Sequence, residues 1–196
     1  YNLLPNIFYR NYCARVIRDL DRSYKKIALT FDDGPDREYT EKIMDLLKEY
    51  DIKCTFFLIA DNVVQYTEIV SRIIAEGHCV GLHSHRHRSA WLCWPWQVKN
   101  DFESSREVFD ILGYSLKYYR PPWGTFNLLT QTYADRNDLT TVLWSLNSED
   151  WRKKMTGPGI AAKIKNEVRK GDIILFHDSN KVDREKTMAA LEEVIP

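Results

Sequence analysis

Lys26-Ile27-Ala28-Leu29-Thr30-Phe31-Asp32-Asp33-Gly34-Pro35 is the stretch on which the fold reading turns. It opens as a short, β-rich run and stops abruptly at two carboxylates and a Gly-Pro pair suited to a tight turn. The same event recurs along the chain. Lys53–Ile59, His78–His83, Leu116–Tyr119, Thr141–Leu146 and Asp172–Phe176 are further short runs of this kind. Helical periods lie between them. Val63, Tyr66, Val70 and Ile73 share one face, closed by Gly77. Val98, Phe102 and Phe109 share another, opened by Pro95 and stopped by Gly113. Ile160, Ile164 and Val168 form a third between Pro158 and Gly171. Pro near a helix entrance and Gly past its exit is the expected asymmetry.

Strands alternating with helices imply right-handed parallel βα units. Six such units in one domain fit either a doubly wound sheet or a (β/α) barrel, complete or not. Residues 1–24 fall outside this pattern and read as a lead-in segment, leaving 25–196 as the domain. A helix-like stretch (Thr187, Met188, Leu191, Val194, Ile195) runs to Pro196 with no strand after it. A final strand is therefore expected to be missing.

Bulk properties narrow the function classes. The 196 residues suit one domain, and 44% hydrophobic content can bury a sizeable core. Lys plus Arg and Asp plus Glu each total 28, so the formal charge is zero. That disfavours nucleic acid, whose phosphates draw on clustered positive charge. No run of about 18 apolar residues could span a bilayer. The chain begins without Met or a signal-peptide pattern, and reads as one trimmed of its targeting segment. Cys13, Cys54, Cys79 and Cys93 form no C-x-x-C pair, and Cys54 reads as a small core hydrophobe.

The chemistry collects where strands end. Asp32-Asp33 follows the first run, and His83-Ser84-His85-Arg86-His87 the third. Arg120-Pro121-Pro122-Trp123-Gly124 follows the fourth, Asn147-Ser148-Glu149-Asp150-Trp151 the fifth, and His177-Asp178 the sixth. In a parallel β/α architecture such carboxyl ends converge on one face. Each piece alone has an ordinary reading as a turn, a stiffened loop or a surface pair; jointly they do not. One carboxylate of the Asp pair with His83 and His87 supplies a three-ligand site for a divalent ion with positions left open. The other carboxylate is then placed to act as general base on water. Arg120 would keep that base ionised, and His177 is a candidate acid with Asp150 as its partner.

These residues resemble the five ordered motifs of the NodB-type polysaccharide deacetylases, the fourth carbohydrate esterase family. The matching stretches are Thr30-Phe31-Asp32-Asp33-Gly34-Pro35, His83-Ser84-x-x-His87, Arg120-Pro121-Pro122-Trp123-Gly124, Asp150-Trp151 and Leu175-Phe176-His177-Asp178. The resemblance implies an irregular, incomplete (β/α) barrel with parallel strands. It implies Asp32 as base, Asp33, His83 and His87 as ligands of one divalent ion, and Arg120 as the partner of the base. The ion it implies is zinc, with cobalt, nickel or manganese as alternatives. It further implies the Trp123 backbone N–H as an oxyanion donor and His177 as acid tuned by Asp150. Trp151, Leu175 and Pro122 are expected around the acetyl group. Asn147 departs from the family, which usually has Asp there, and His85 is expected to point away from the ion.

The resemblance thus implies a monomeric hydrolase that removes N-acetyl groups from an acetylated glycan such as peptidoglycan or a chitin-like polymer, outside the cell or at its envelope. Two alternatives stand beside it: O-deacetylation of acetylated xylan, and a non-catalytic glycan-binding relative. Trp91, Trp94 and Trp96 follow the second motif closely. They could pack under the loop, stack on sugar rings, or face a partner.

Overall fold

A computed structural model describes residues 3–179 and 184–196. Eight strands form one sheet: β1 (Val16–Ile17), β2 (Ala28–Asp32), β3 (Thr55–Leu58), β4 (Cys79–Leu82), β5 (Tyr118–Tyr119), β6 (Thr140–Val142), β7 (Leu146–Asn147) and β8 (Ile173–His177). Their order is β1-β6-β5-β4-β3-β2-β8-β7, and every pairing between them is parallel. The sheet curls into an irregular, incomplete (β/α) barrel, which decides against the doubly wound alternative. Central strands are buried almost throughout, as expected where both faces are covered.

The run expected as one strand over Thr141–Leu146 is split. Its first half pairs with β5 and β1, and its second half pairs with β8. A short stretch of chain meeting both sides of a curled sheet cannot stay straight, so it bends at residues 143–145. The helix expected through Val63 and Ile73 is also two pieces, α3 (Ala60–Gln65) and α4 (Thr67–Ala75). Tyr66 breaks them at φ −129° and ψ 48°, while Val63, Val70 and Ile73 still face the core. Gly77, at φ 81°, ends α4 as expected.

Residues 1–24 contain more than a connecting lead. Helix α1 (Leu3–Tyr12) precedes β1, and β1 pairs in register with Thr141 and Val142. Helix α1 also braces the Trp123 loop. Arg10 Nη1 donates to the Gly124 carbonyl at 3.2 Å, and the Phe126 N–H donates to Asn6 Oδ1 at 3.1 Å. Two paired residues are too few for period-2 reading to detect.

The remaining helices are α2 (Tyr39–Glu49), α5 (Pro95–Ile111), α6 (Thr130–Arg136), α7 (Gly157–Glu167) and α8 (Glu185–Val194). α5 starts at Pro95 and gives way to Gly113 at φ 66°, matching its sequence signals. Phe31, Phe56 and Phe176, on three adjacent strands, pack at the centre of the core, Phe31 stacked on Phe56 and tilted against Phe176. The four cysteines are free, and Cys54 is buried as expected. Among the described residues, no helix is long and apolar enough to cross a membrane.

Candidate active site

β2, β4 and β8 deliver the charged residues to one end of the sheet. Asp32, Asp33, His83, His87, Leu175 and His177 line a cavity of about 310 Å³, with Trp123 and Trp151 at its walls. Trp144, Asn147 and Arg184 complete the lining. Trp123 and Trp151 are about half exposed, as residues on the rim of an open cleft would be. Pro122 is buried beside Trp123 and does not line the cavity; Trp144 lines it instead.

The loops carrying these residues hold a strained backbone. Asp33 (φ 79°), Ser84 (φ 71°), His87 (φ 52°), Trp123 (φ 54°) and Glu149 (φ 60°) all adopt left-handed conformations without being glycine. Such residues cost about 1–3 kcal/mol each and persist where the surroundings over-determine them. These five lie at the carboxyl end of the sheet; Asp51 and Asp138, of the same conformation, lie in the turns that enter β3 and β6. The Ser84 hydroxyl accepts the His87 N–H at 2.8 Å and fixes the turn between the two imidazoles.

Asp33, His83 and His87 each offer an atom to a common point, all within 4.8 Å of one another. Asp33 Oδ1 lies 3.0 Å from His87 Nε2 and 3.5 Å from His83 Nε2. It is buried yet accepts no hydrogen bond among the described residues, which suits an atom meant for a cation. The His83 tautomer fits as well. Its Nδ1 lies 2.8 Å from the Arg120 carbonyl, which can only accept, so Nδ1 carries the proton and Nε2 keeps its lone pair. Burial pushes His83 down to about 4, so the ring is neutral near pH 7. Burial alone would raise the Asp33 carboxyl, but His87 and His83 hold it well below the usual carboxylate range. The donor set therefore fits a divalent ion that takes carboxylate and imidazole.

Asp32 stands beside this group, its Oδ2 3.8 Å from His83 Nε2. Its other oxygen accepts from Arg120 Nη1 at 2.7 Å. Arg120 is wholly buried, and all three of its nitrogens donate. Three further N–H groups reach Thr30 Oγ1 and the carbonyls of Val142 and Leu143, and the guanidinium lies 4.0 Å from the Phe57 ring centre.

His177 Nδ1 lies 2.7 Å from Asp150 Oδ1, and the His177 N–H donates to Asp150 Oδ2 at 3.0 Å. Burial would lower the His177 imidazole, but Asp150 outweighs it and holds the ring above its ordinary value. Asp150 in turn accepts from Thr187 Oγ1 and, at 3.4 Å, from Arg184 Nη1. Sequence reading missed Arg184 and Thr187, because α8 carries no motif and only the fold brings it to Asp150. Asn147 lines the cavity but spends its Oδ1 on the Glu149 N–H at 2.8 Å, forming the turn. Support of His177 comes from Asp150, which retains its charge. His85 turns away to Asp61 at 3.0 Å, as expected.

Fold and site together define a class: an irregular parallel β/α barrel with an Asp–His–His group beside a spare carboxylate. A family model described as polysaccharide deacetylase matches residues 19–142. Two peptidoglycan-N-acetylglucosamine deacetylases of Bacillus cereus are similar to the chain. One is 34% identical over 172 residues, covering 87% of this chain and 62% of its own length. The other is 33% identical over 183 residues, covering 91% and 84%. The crystal structure of a peptidoglycan N-acetylglucosamine deacetylase in complex with 4-naphthalen-1-yl-N-oxidanyl-benzamide has a TM-score of 0.89 at 30% identity, covering 98% of this chain and 89% of that one. The chain belongs to the polysaccharide deacetylase family. It spans less than two thirds of the first of these relatives.

Proposed function

We propose that the protein is a metal-dependent hydrolase that removes the acetyl group from N-acetylhexosamine units of a cell-wall glycan, peptidoglycan N-acetylglucosamine being the favoured substrate. The observation that carries this reading is the meeting of Asp32 and His177 in one cavity with the Asp33–His83–His87 group. A binding module would need neither a spare base nor a supported acid. The named activity of the similar proteins favours nitrogen over oxygen as the leaving atom, and their cell-wall substrate favours the envelope as the place of action.

A bound divalent ion, zinc in the first instance, would lower the pKa of water and polarise the acetamide carbonyl. Asp32 takes the proton of the attacking water, and the buried Arg120 guanidinium keeps it aimed through the hydrogen bond to its other oxygen. The Trp123 backbone N–H would serve as donor to the developing oxyanion. A donor of that kind contributes about 3–4 kcal/mol to transition-state stability. His177 delivers a proton to the departing amine nitrogen, and Asp150 stabilises its charged form. Leu175 and Trp151 enclose the acetyl methyl, with Trp144 as a further wall.

The test is acetate release from N-acetylglucosamine oligomers and from peptidoglycan, with zinc added and after chelation. Zinc-dependent release, lost in Asp32→Asn, is the expected result. Release that survives full chelation, or an Asp32→Asn enzyme as fast as wild type, overturns the mechanism.

A further inference from the structure

Asp178 follows His177 at the end of β8, and the chemistry above leaves it without a role. Its side chain is wholly buried. It holds the loop of the two aspartates in three ways. Its N–H donates to the Asp32 carbonyl at 3.1 Å. Its Oδ2 accepts from Thr40 Oγ1 at 2.6 Å, and Thr40 Oγ1 accepts the Asp36 N–H at 2.8 Å. Its carboxyl also fills the space where a side chain at Gly34 would begin. A Cβ there would collide with Asp178 Oδ2 and lie 2.6 Å from Oδ1, and its three nearest neighbours all belong to Asp178.

The opposite side of the same loop is tied to β3 and α3. The Ile59 N–H donates to the Gly34 carbonyl at 2.9 Å, and Asn62 Nδ2 donates to the Asp33 carbonyl at 3.0 Å. Asp33 is thus clamped from both sides in a left-handed conformation that an unsupported aspartate would leave.

We propose that Asp178 is a positioning residue, a wedge seated against Gly34 that holds the turn on which Asp33 meets His83 and His87. This rests on the metal reading of the site. The wedge acts by shape and by its bond to Thr40, so an amide of the same shape can replace it. Burial raises the carboxyl to about 7, in keeping with a group whose full charge is not what the loop uses. Gly34 is glycine because the carboxyl already occupies the position of its missing Cβ.

The experiment is calorimetric titration of the purified chain with zinc, with folding followed by circular dichroism. Asp178→Ala and Gly34→Ala should each weaken zinc binding by about 10-fold to 100-fold, the usual cost of losing support behind a metal ligand. Asp178→Asn should bind close to wild type. The double variant Gly34→Ala with Asp178→Ala should bind more tightly than Gly34→Ala alone, because the truncated side chain leaves room for the new methyl. Should Gly34→Ala fail to fold, the double variant should regain the fold by circular dichroism, and its failure to do so overturns the inference. Should Asp178→Ala fail to fold, a loss of about tenfold in zinc binding by Asp178→Asn overturns it. An Asn variant as weak as the Ala variant, or a double variant no better than Gly34→Ala, overturns the inference. Wild type that binds no zinc sinks the metal reading and this inference together. Wild type that binds zinc no better than Asp178→Ala and Gly34→Ala sinks the inference alone.

Discussion

Arg120 Nη1 donates to Asp32 Oδ1 at 2.7 Å, with both side chains buried and 88 positions apart in the sequence. The guanidinium holds the carboxylate in place and gives it a buried opposite charge. It also pins the ends of β2 and β6 together, through Thr30, Val142 and Leu143.

Removing one partner of such a pair strands a buried charge. Arg120→Ala should cost about 3–5 kcal/mol of folding stability. Arg120→Lys cannot reproduce the fork and should recover only part of that loss. Urea titration of both variants checks this. A midpoint unchanged in Arg120→Ala would show the pair to be dispensable.

Asp150 holds the His177 imidazole above its ordinary value against the opposing pull of burial. The acid form of His177 therefore persists to higher pH than it would unaided. In Asp150→Asn burial prevails, and the alkaline limb of the kcat/KM profile should move to lower pH. Profiles of wild type and variant on one soluble substrate decide the matter. An unmoved limb would separate Asp150 from the acid.

Zinc should stabilise the fold through Asp33, His83 and His87. At a free concentration one hundred times the dissociation constant, a ligand of the native state adds about 2.7 kcal/mol. For a chain of this size that raises Tm by about 5–10 °C. Chelation should abolish the rise, and His87→Ala should not show it. His85→Gln should show it in full, since His85 pairs with Asp61. Thermal melts of the three proteins with and without zinc provide the comparison.

Trp151 is about half exposed at the cavity rim, where an aromatic face can meet a sugar ring. Trp151→Ala should leave Tm near wild type and raise KM for glycan oligomers by about tenfold, which is 1.4 kcal/mol of binding. Steady-state kinetics against oligomer length would expose a failure, seen as unchanged KM with lowered stability.

The segment from Trp91 to Trp96, which runs into the first turn of α5, settles one question left open by sequence. Trp94 and Trp96 are 63% and 59% exposed, with their rings stacked at 5.4 Å. Packing beneath the loop is not their arrangement. Composition could not separate these readings, because tryptophan is both a core filler and a contact residue.

Local chemistry in the sequence determined which residues could act. Strands ending in Asp32-Asp33, in His83 through His87 and in His177 announced both a parallel β/α fold and a hydrolytic set, since side-chain type and strand-end position are local properties. Distances between distant segments are not local, and only packing fixed them. The bend that splits residues 140–147, the addition of β1 at the edge, and the approach of Arg184 and Thr187 to Asp150 each depend on where the curled sheet brings other chain segments. Trp144 and Asp178 share that dependence. Asp178 stands in a matching stretch that gives it no role and Trp144 stands in none, and their places against Gly34 and the cavity exist only once the sheet has curled.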